Sequence, residues 1–511
     1  MIFLFIAAFL IALYYYNTRT FQYWKIRGIK YEEPVLFFGT YKKNYLAQQS
    51  RSQLIDEIYW KYPNEKLVGG FKSTIPELVV KDPDMIKLVL VSDFSSFHYR
   101  GINNESENSE TLRKHLFGVE GDLWRMLRQR MTPAFTSGKL KAMFPLIVDR
   151  TEKLQLRALS AAKSNLPIDA RELMARYTTD FIGACGFGID ADSLNDEDSA
   201  FRKLGYKIFT FTYLDAIIIS LKDIFPKLFT KVKVFRKVEG EVLGLVESIK
   251  KERNYTPSGR HDFVDIMLEY YNKPMEAESI EKSNPDGSSM KVSRILDDEL
   301  FAAQIFVFFG AGFETSASST SYTLHLLAYN PEVQKKVQED IDQVLARHQN
   351  KLSYQAVKEM MYLEWTFKEG LRMFPSLGFL MRKSSKKYTF EDANLTIDKG
   401  VNIIIPVQSL HFDPQYWDKP KEFRPERFHP DNFGSKQKMV YFPFGDGPRN
   451  CIGSRLGLMQ SVAGLAAILA KFTVEPGPTT LQVPMVEPKS NVVQSIRNGL
   501  PLLFKVRENV S

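Results

Sequence analysis

Phe444-Gly445-Asp446-Gly447-Pro448-Arg449-Asn450-Cys451-Ile452-Gly453 is the stretch that decides the fold, because it sets one of only two cysteines inside a glycine-flanked turn behind an arginine. A lone cysteine is most often an inert buried side chain, since free Cys is among the most buried residue types. The surroundings of this one favour a thiolate. Glycines at 445, 447 and 453 let backbone N–H groups approach the sulfur, and such bonds tune a bound metal. Arg449 supplies positive charge that would hold the thiol deprotonated or meet a haem propionate. Cys451 therefore reads as a thiolate ligand of haem iron, a ligand type that favours O–O bond cleavage over oxygen carriage.

The pattern Phe-x-x-Gly-x-Arg-x-Cys-x-Gly resembles the haem-binding loop of cytochromes P450, and further marks of that family lie upstream. Glu369-Gly370-Leu371-Arg372 resembles its Glu-x-x-Arg, and Phe423-Arg424-Pro425-Glu426-Arg427-Phe428 resembles the segment whose arginine joins that pair. Taken alone, Glu369 and Arg372 are a helical i,i+3 pair worth roughly a few tenths of a kcal/mol. The resemblance implies more: a buried triad of Glu369, Arg372 and Arg427 that fixes the core beside the haem. Its role is structural, and losing one member would strand a buried charge.

Asp297, Asp298 and Glu299 mark a helix N-terminus, after which Leu300 to Phe309 run almost wholly apolar around Gln304. A helix apolar on all sides is a buried one. Within it, Ala311-Gly312-Phe313-Glu314-Thr315-Ser316 places an acid beside a hydroxyl, with a glycine that weakens the helix by about 1 kcal/mol. The resemblance implies that this middle helix crosses the haem, that the glycine makes room for oxygen, and that Glu314 and Thr315 relay protons. General acid catalysis of that kind is typically worth about 10² to 10⁴ in rate. A helical threonine more often bonds back to a carbonyl one turn earlier, the structural alternative for Thr315.

By the same resemblance Trp124 and Arg128, spaced to share one helix face, are expected to hold haem propionates, as are Arg449 and Arg382. Arg382 lies seven residues after Pro375, on an expected short strand. Phe117, Phe309, Ala311 and Leu377 are expected to line a substrate pocket, roofed by Phe209, Phe211 and Phe225. With 38 phenylalanines in the chain, plain core is the competing reading for each.

A chain of 511 residues that is 44% hydrophobic, without repeats or Gly/Ser linkers, reads as one large domain over residues 41–511. Residues 1–20 read as a membrane anchor, since Met1 to Thr18 carry no charged side chain and Arg19, Lys25, Arg27 and Lys30 follow. A cleaved signal peptide would want a basic start and a small-residue cleavage site, and neither is evident. Residues 21–40 form a basic linker with few prolines, and the polar stretch Asn272 to Asp297 is expected to be a long surface loop. A net charge of +8, from 68 basic and 60 acidic residues, is too mild for nucleic acid. It suits a basic docking face formed from Arg125, Arg128, Arg130, Lys436, Lys438, Arg449 and Arg455, to which an acidic electron donor would be steered.

The resemblance covers nearly the whole chain and is nearest to microsomal P450s of the insect family-six, xenobiotic-metabolising type. It implies a mainly α fold with a small β-rich subdomain, the haem b held between the middle helix and the cysteine loop. It also implies O₂-dependent monooxygenation of lipophilic substrates at the endoplasmic reticulum membrane. Electrons would come from NADPH through NADPH–cytochrome P450 reductase, with cytochrome b5 as a further partner; the chain shows no flavin or NADPH motif of its own. Two rivals stand: a haem-thiolate isomerase or dehydratase, which needs no external electrons, and a noncatalytic haem-binding protein.

Overall fold

A computed structural model describes residues 1–102, 110–210, 212–225, 228–260, 262–490 and 493–508. The architecture is mainly helical with small sheets at its edges. In chain order, the helices that matter here are α1 (Ile2–Thr18), α2 (Gly121–Met131), α3 (Ser137–Ser164), α4 (Ala170–Ile182), α5 (Ala200–Phe209), α6 (Tyr213–Ile224), α7 (Asp298–Ala328), α8 (Met361–Met373) and α9 (Ser454–Lys471). The strands that matter here are β1 (Leu67–Lys72), β2 (Ile75–Val80), β3 (Pro274–Ser283), β4 (Ser289–Ile295), β5 (Leu380–Lys383) and β6 (Asn402–Ile405).

α7 is the axle of the fold. Asp297 caps it by accepting from the Leu300 N–H at 2.9 Å, and Asp298 and Glu299 complement the helix dipole in its first turn. Most of its 31 residues are buried, as a helix apolar all round must be. Its hydroxyls are satisfied along its own backbone, Thr320 donating to Ser316 O and Thr323 to Ser319 O. α4 and α9 pack along it.

The mixed sheet runs β1-β2-β6-β5, with β2 and β6 parallel and the other pairs antiparallel. The register sets Arg382 opposite Ile403, so the expected short strand forms and points a buried arginine inward.

The linker, residues 21–40, is tied to the sheet: Gly69 N–H donates to Lys30 O at 2.8 Å, Glu32 N–H to Gly69 O at 3.0 Å, and Trp24 is wholly buried against Gly69. The stretch Asn272 to Asp297 is no loop but the β3–β4 hairpin. Met275, Ala277 and Ser279 alternate inward along β3 between outward Glu276 and Glu278, a period-2 pattern hidden by overall polarity.

Candidate active site

The Cys451 loop is shaped by two left-handed glycines, Gly445 (φ 71°) and Gly447 (φ 70°); a Cβ on Gly447 would collide with the Leu90 carbonyl. The loop closes by Asn450 N–H to Gly447 O at 3.0 Å and Cys451 N–H to Phe444 O at 2.8 Å. The thiol is deep enough that burial raises its pKa, a shift opposed by the Gly453 N–H and by Arg128 and Arg100. Arg128 and Arg100 are the cations that favour its ionised form.

Deep-set Cys451 nevertheless keeps accessible surface, and so do Ala311 and, in part, Thr315 on the otherwise buried α7. α9, which begins just after the cysteine, docks on that turn of α7: Gln460 donates to Ser316 Oγ at 2.6 Å and to Gly312 O at 3.3 Å. Cysteine loop and middle helix are thereby fixed to one another across an internal cleft.

On one side of the cleft four guanidiniums gather. Arg128 on α2 donates to Asn450 O and Asn450 Oδ1, both at 2.7 Å, gripping the residue before the cysteine. Arg449 donates to His98 O at 2.6 Å, Val119 O at 3.1 Å and Glu120 at 2.6 Å, and stacks over Trp124 at 4.4 Å. Arg100, which sequence reasoning missed, lies over the Phe117 ring at 4.3 Å and donates to Arg449 O at 3.3 Å. Arg382 reaches only backbone carbonyls, Met381 O at 2.8 Å and Asp446 O at 3.3 Å.

Glu120 is the carboxylate that this layer hydrogen-bonds among the described residues, and it also takes the N–H groups of Arg100 and Gly101. Burial, and then Arg100 and Arg449, push Arg382 well below its usual value; burial likewise lowers Arg449 to about 9 and Arg100 to about 10. Among the described residues, Arg382 Nε, Arg449 Nη1 and Arg100 Nε are buried without an acceptor. Buried donors of this kind need partners. Two carboxylates carried by a planar cofactor ligated at Cys451 would supply them, so the residues present fit haem.

Glu369, Arg372 and Arg427 meet in the buried core. Glu369 accepts from Arg372 at 2.7 and 2.8 Å and from Arg427 at 3.2 Å, all three being buried. Arg372 also donates to His411 O at 2.7 Å. His411 in turn bonds Arg372 O at 3.1 Å through Nδ1 and accepts the Phe442 N–H at 3.1 Å through Nε2, linking α8 to the approach to the cysteine loop.

The relay pair is rearranged. Thr315 donates back to Ala311 O at 2.7 Å, and Glu314 turns away from it to pair with Arg171 of α4, also accepting from Ser318 Oγ at 3.4 Å. Adjacent helical residues point about 100° apart, so one faces the cleft while the other faces α4. Gly312 does not open space for oxygen: a Cβ there would collide with Ile182 of α4, so the glycine permits close helix packing.

Phe117 and Leu377 line one pocket with Arg100, Phe379 and Met381, and Ala311 borders the cleft. Phe309 leaves the expected pocket, packing on Phe201 with ring centroids 4.7 Å apart and stacking on Phe313 at 6.0 Å. Phe209 packs on Phe313 at 5.8 Å and Phe225 on Phe37 at 6.5 Å; Phe211 lies outside the described residues. Of the basic docking residues, Lys436, Lys438 and Arg455 are exposed, whereas Arg449 is buried.

The family model described as Cytochrome P450 matches residues 30–502. Among curated proteins, Cytochrome P450 6B6 of Helicoverpa armigera is 36% identical over 491 residues, covering 96% of this chain and 95% of that protein. Cytochrome P450 6B1 of Papilio polyxenes is 35% identical over 471 residues, 91% of each chain. Probable cytochrome P450 6a14 of Drosophila melanogaster is 34% identical over 507 residues, 96% of each.

Proposed function

The chain belongs to the cytochrome P450 family and is a haem-dependent monooxygenase, and we propose that it oxygenates lipophilic small molecules with electrons passed from NADPH by NADPH–cytochrome P450 reductase. Cytochrome b5 is a second donor. The substrates are xenobiotics such as plant toxins and insecticides, or endogenous lipids and hormones. The observation that carries this reading is the deep, accessible cysteine set beside guanidiniums with unpartnered buried nitrogens.

Bound haem supplies dioxygen binding and reductive activation, chemistry that is the cofactor's own. The chain holds and serves it. Cys451 would hold the iron through its sulfur, with the charges of Arg128 and Arg100 favouring the thiolate. Arg382, Arg449 and Arg100 would hold the propionates through nitrogens that have no acceptor among the described residues, while Trp124 backs Arg449 and Arg128 locks the loop through Asn450. Ala311 keeps the cleft open by being small. Thr315 Oγ, once it leaves Ala311 O, would pass protons at the cleft wall, and Glu314 would serve it after releasing Arg171.

Phe117, Leu377 and Phe379 present apolar surface to the substrate. α1 is apolar and exposed, and α6 exposes Tyr213, Leu214 and Ile217. Both suit attachment to the endoplasmic reticulum, with residues 41–511 as the catalytic domain on the cytoplasmic side and residues 1–20 as its anchor.

The test is a reconstitution with reductase, NADPH and a lipophilic substrate panel under isotopically labelled O₂. One labelled oxygen atom per product molecule, dependent on reductase, is the expected result. Product without labelled oxygen would favour the isomerase or dehydratase instead.

A further inference from the structure

The β3–β4 hairpin is held against α2 by specific contacts rather than lying free on the surface. Asp122, in the first turn of α2, accepts from Ser279 Oγ at 2.8 Å and from the Ile280 N–H at 2.8 Å. The strand register shifts between Glu278 and Ser283, and within that irregularity Glu281 turns down onto α2, where the Tyr99 hydroxyl donates to it. Gly121, at φ 54°, lies directly beneath the Glu281 carboxylate, and a Cβ there would collide with it.

α2 is thus a helix with two working faces. Trp124 and Arg128 face the guanidinium layer and the cysteine loop. Gly121, Asp122 and Arg125 face the hairpin, where Arg125 lies 3.9 Å from Glu278. The cations of α2 are each engaged within the molecule: Arg125 by Glu278, Arg128 by Asn450, and Arg130 by the Tyr270 ring at 5.3 Å. Glu276 and Glu278 remain exposed at the hairpin's outer edge. Exposed basic side chains instead flank the cysteine loop along the chain, at Lys436, Lys438 and Arg455, the last bonded to Ser137 at the start of α3.

We infer that the β3–β4 hairpin is an acidic strap on the electron donor's docking face, which withholds Arg125 from an acidic donor protein and directs that donor to Lys436, Lys438 and Arg455. The inference rests on the reading that a reductase with an acidic docking surface delivers the electrons. Two carboxylates at the edge of an interface repel an acidic partner and slow its approach, while the exposed cations beyond them attract it. Both effects act over about 10 Å at 0.1 M salt, so they are largest at low ionic strength.

The experiment titrates NADPH–cytochrome P450 reductase against the full-length, haem-loaded chain in membranes, at low and high salt. It compares the parent, Glu276→Gln with Glu278→Gln, Arg125→Gln, and all three together. Removing the two acids is expected to lower the reductase KM at least about threefold at low salt and not at high salt. The saturating rate and the thiolate spectrum should stay unchanged. Arg125→Gln should matter little in the parent and cancel the gain in the acid-free background. An unchanged or raised KM on removing the acids overturns the inference. So does an Arg125→Gln effect as large in the parent as in the acid-free variant. A parent with no reductase-dependent turnover removes the donor, and the inference with it, before any variant is compared.

Discussion

Glu314 forms its ion pair with Arg171 of α4, while its neighbour Thr315 donates to the Ala311 carbonyl on the cleft side of α7. The buried acid is therefore stored one step from the cleft. Its partner decides when it is free.

Removing that partner should act on stability and on proton delivery together. Arg171→Met strands a buried carboxylate, which costs on the order of 3–5 kcal/mol and should lower the thermal midpoint clearly. Glu314→Gln leaves a neutral, hydrogen-bonding side chain and should be better tolerated. Its turnover should nonetheless fall about 10²-fold with haem still bound. Thermal unfolding and steady-state rates of the two variants check this, and equal turnover in Glu314→Gln and parent would exclude the acid from the relay.

Glu369 holds two arginines, so its loss should exceed that of either arginine. Glu369→Gln leaves Arg372 and Arg427 without their carboxylate in a buried site. A destabilisation of about 3–5 kcal/mol is expected, together with loss of haem content on purification. Denaturant unfolding and haem-to-protein ratios give the answer.

Arg382 should show opposite effects with and without cofactor. It is buried beside two other guanidiniums and reaches only carbonyls, so in apoprotein Arg382→Met relieves charge repulsion and should be neutral or stabilising. With haem present the same substitution removes a propionate partner and should speed haem loss to an acceptor globin about tenfold or more. A variant that weakens apoprotein and leaves haem loss unchanged would contradict that role.

Acid sensitivity follows from His411, which is wholly buried, and His115, which is half-buried. Burial, aided by Arg113 and Arg100 for His115 and by Arg372 for His411, lowers each to about 3. Both are neutral in the native fold and protonate near 6.5 once unfolded, so between those values the unfolded chain binds the extra protons. Stability should therefore fall as pH falls from about 6.5 towards 3, by up to about 1.4 kcal/mol per pH unit for each histidine. His411→Asn should be less stable at pH 7 and show a shallower loss on acidification. Urea unfolding at pH 7 and pH 5 measures it.

The sequence carried the parts of this fold whose chemistry demands particular residues at short spacing. The Cys451 loop, the Glu369 and Arg372 pair and the apolar run of α7 could be read directly, because each depends on neighbours in the chain. Arg100 and Glu120 could not: they meet Arg449 only through tertiary packing and belong to no short pattern. Arg171 was hidden in the same way, and with it the true direction of Glu314. The β3–β4 hairpin was masked because its inward residues are small or intermediate, Met275, Ala277 and Ser279, amid Ser, Glu and Lys. The resemblance puts both Phe309 and Ala311 in the pocket, yet two positions along a helix turn a side chain through about 200°.

The account stands on Cys451 as the haem ligand, and the most direct measurement is the absorption spectrum of the reduced, carbon-monoxide-bound protein, parent against Cys451→Ser. The expected result is the red-shifted Soret band of a thiolate ligand in the parent and its loss in the variant. A parent without that band, or a variant that retains it, would contradict the assignment.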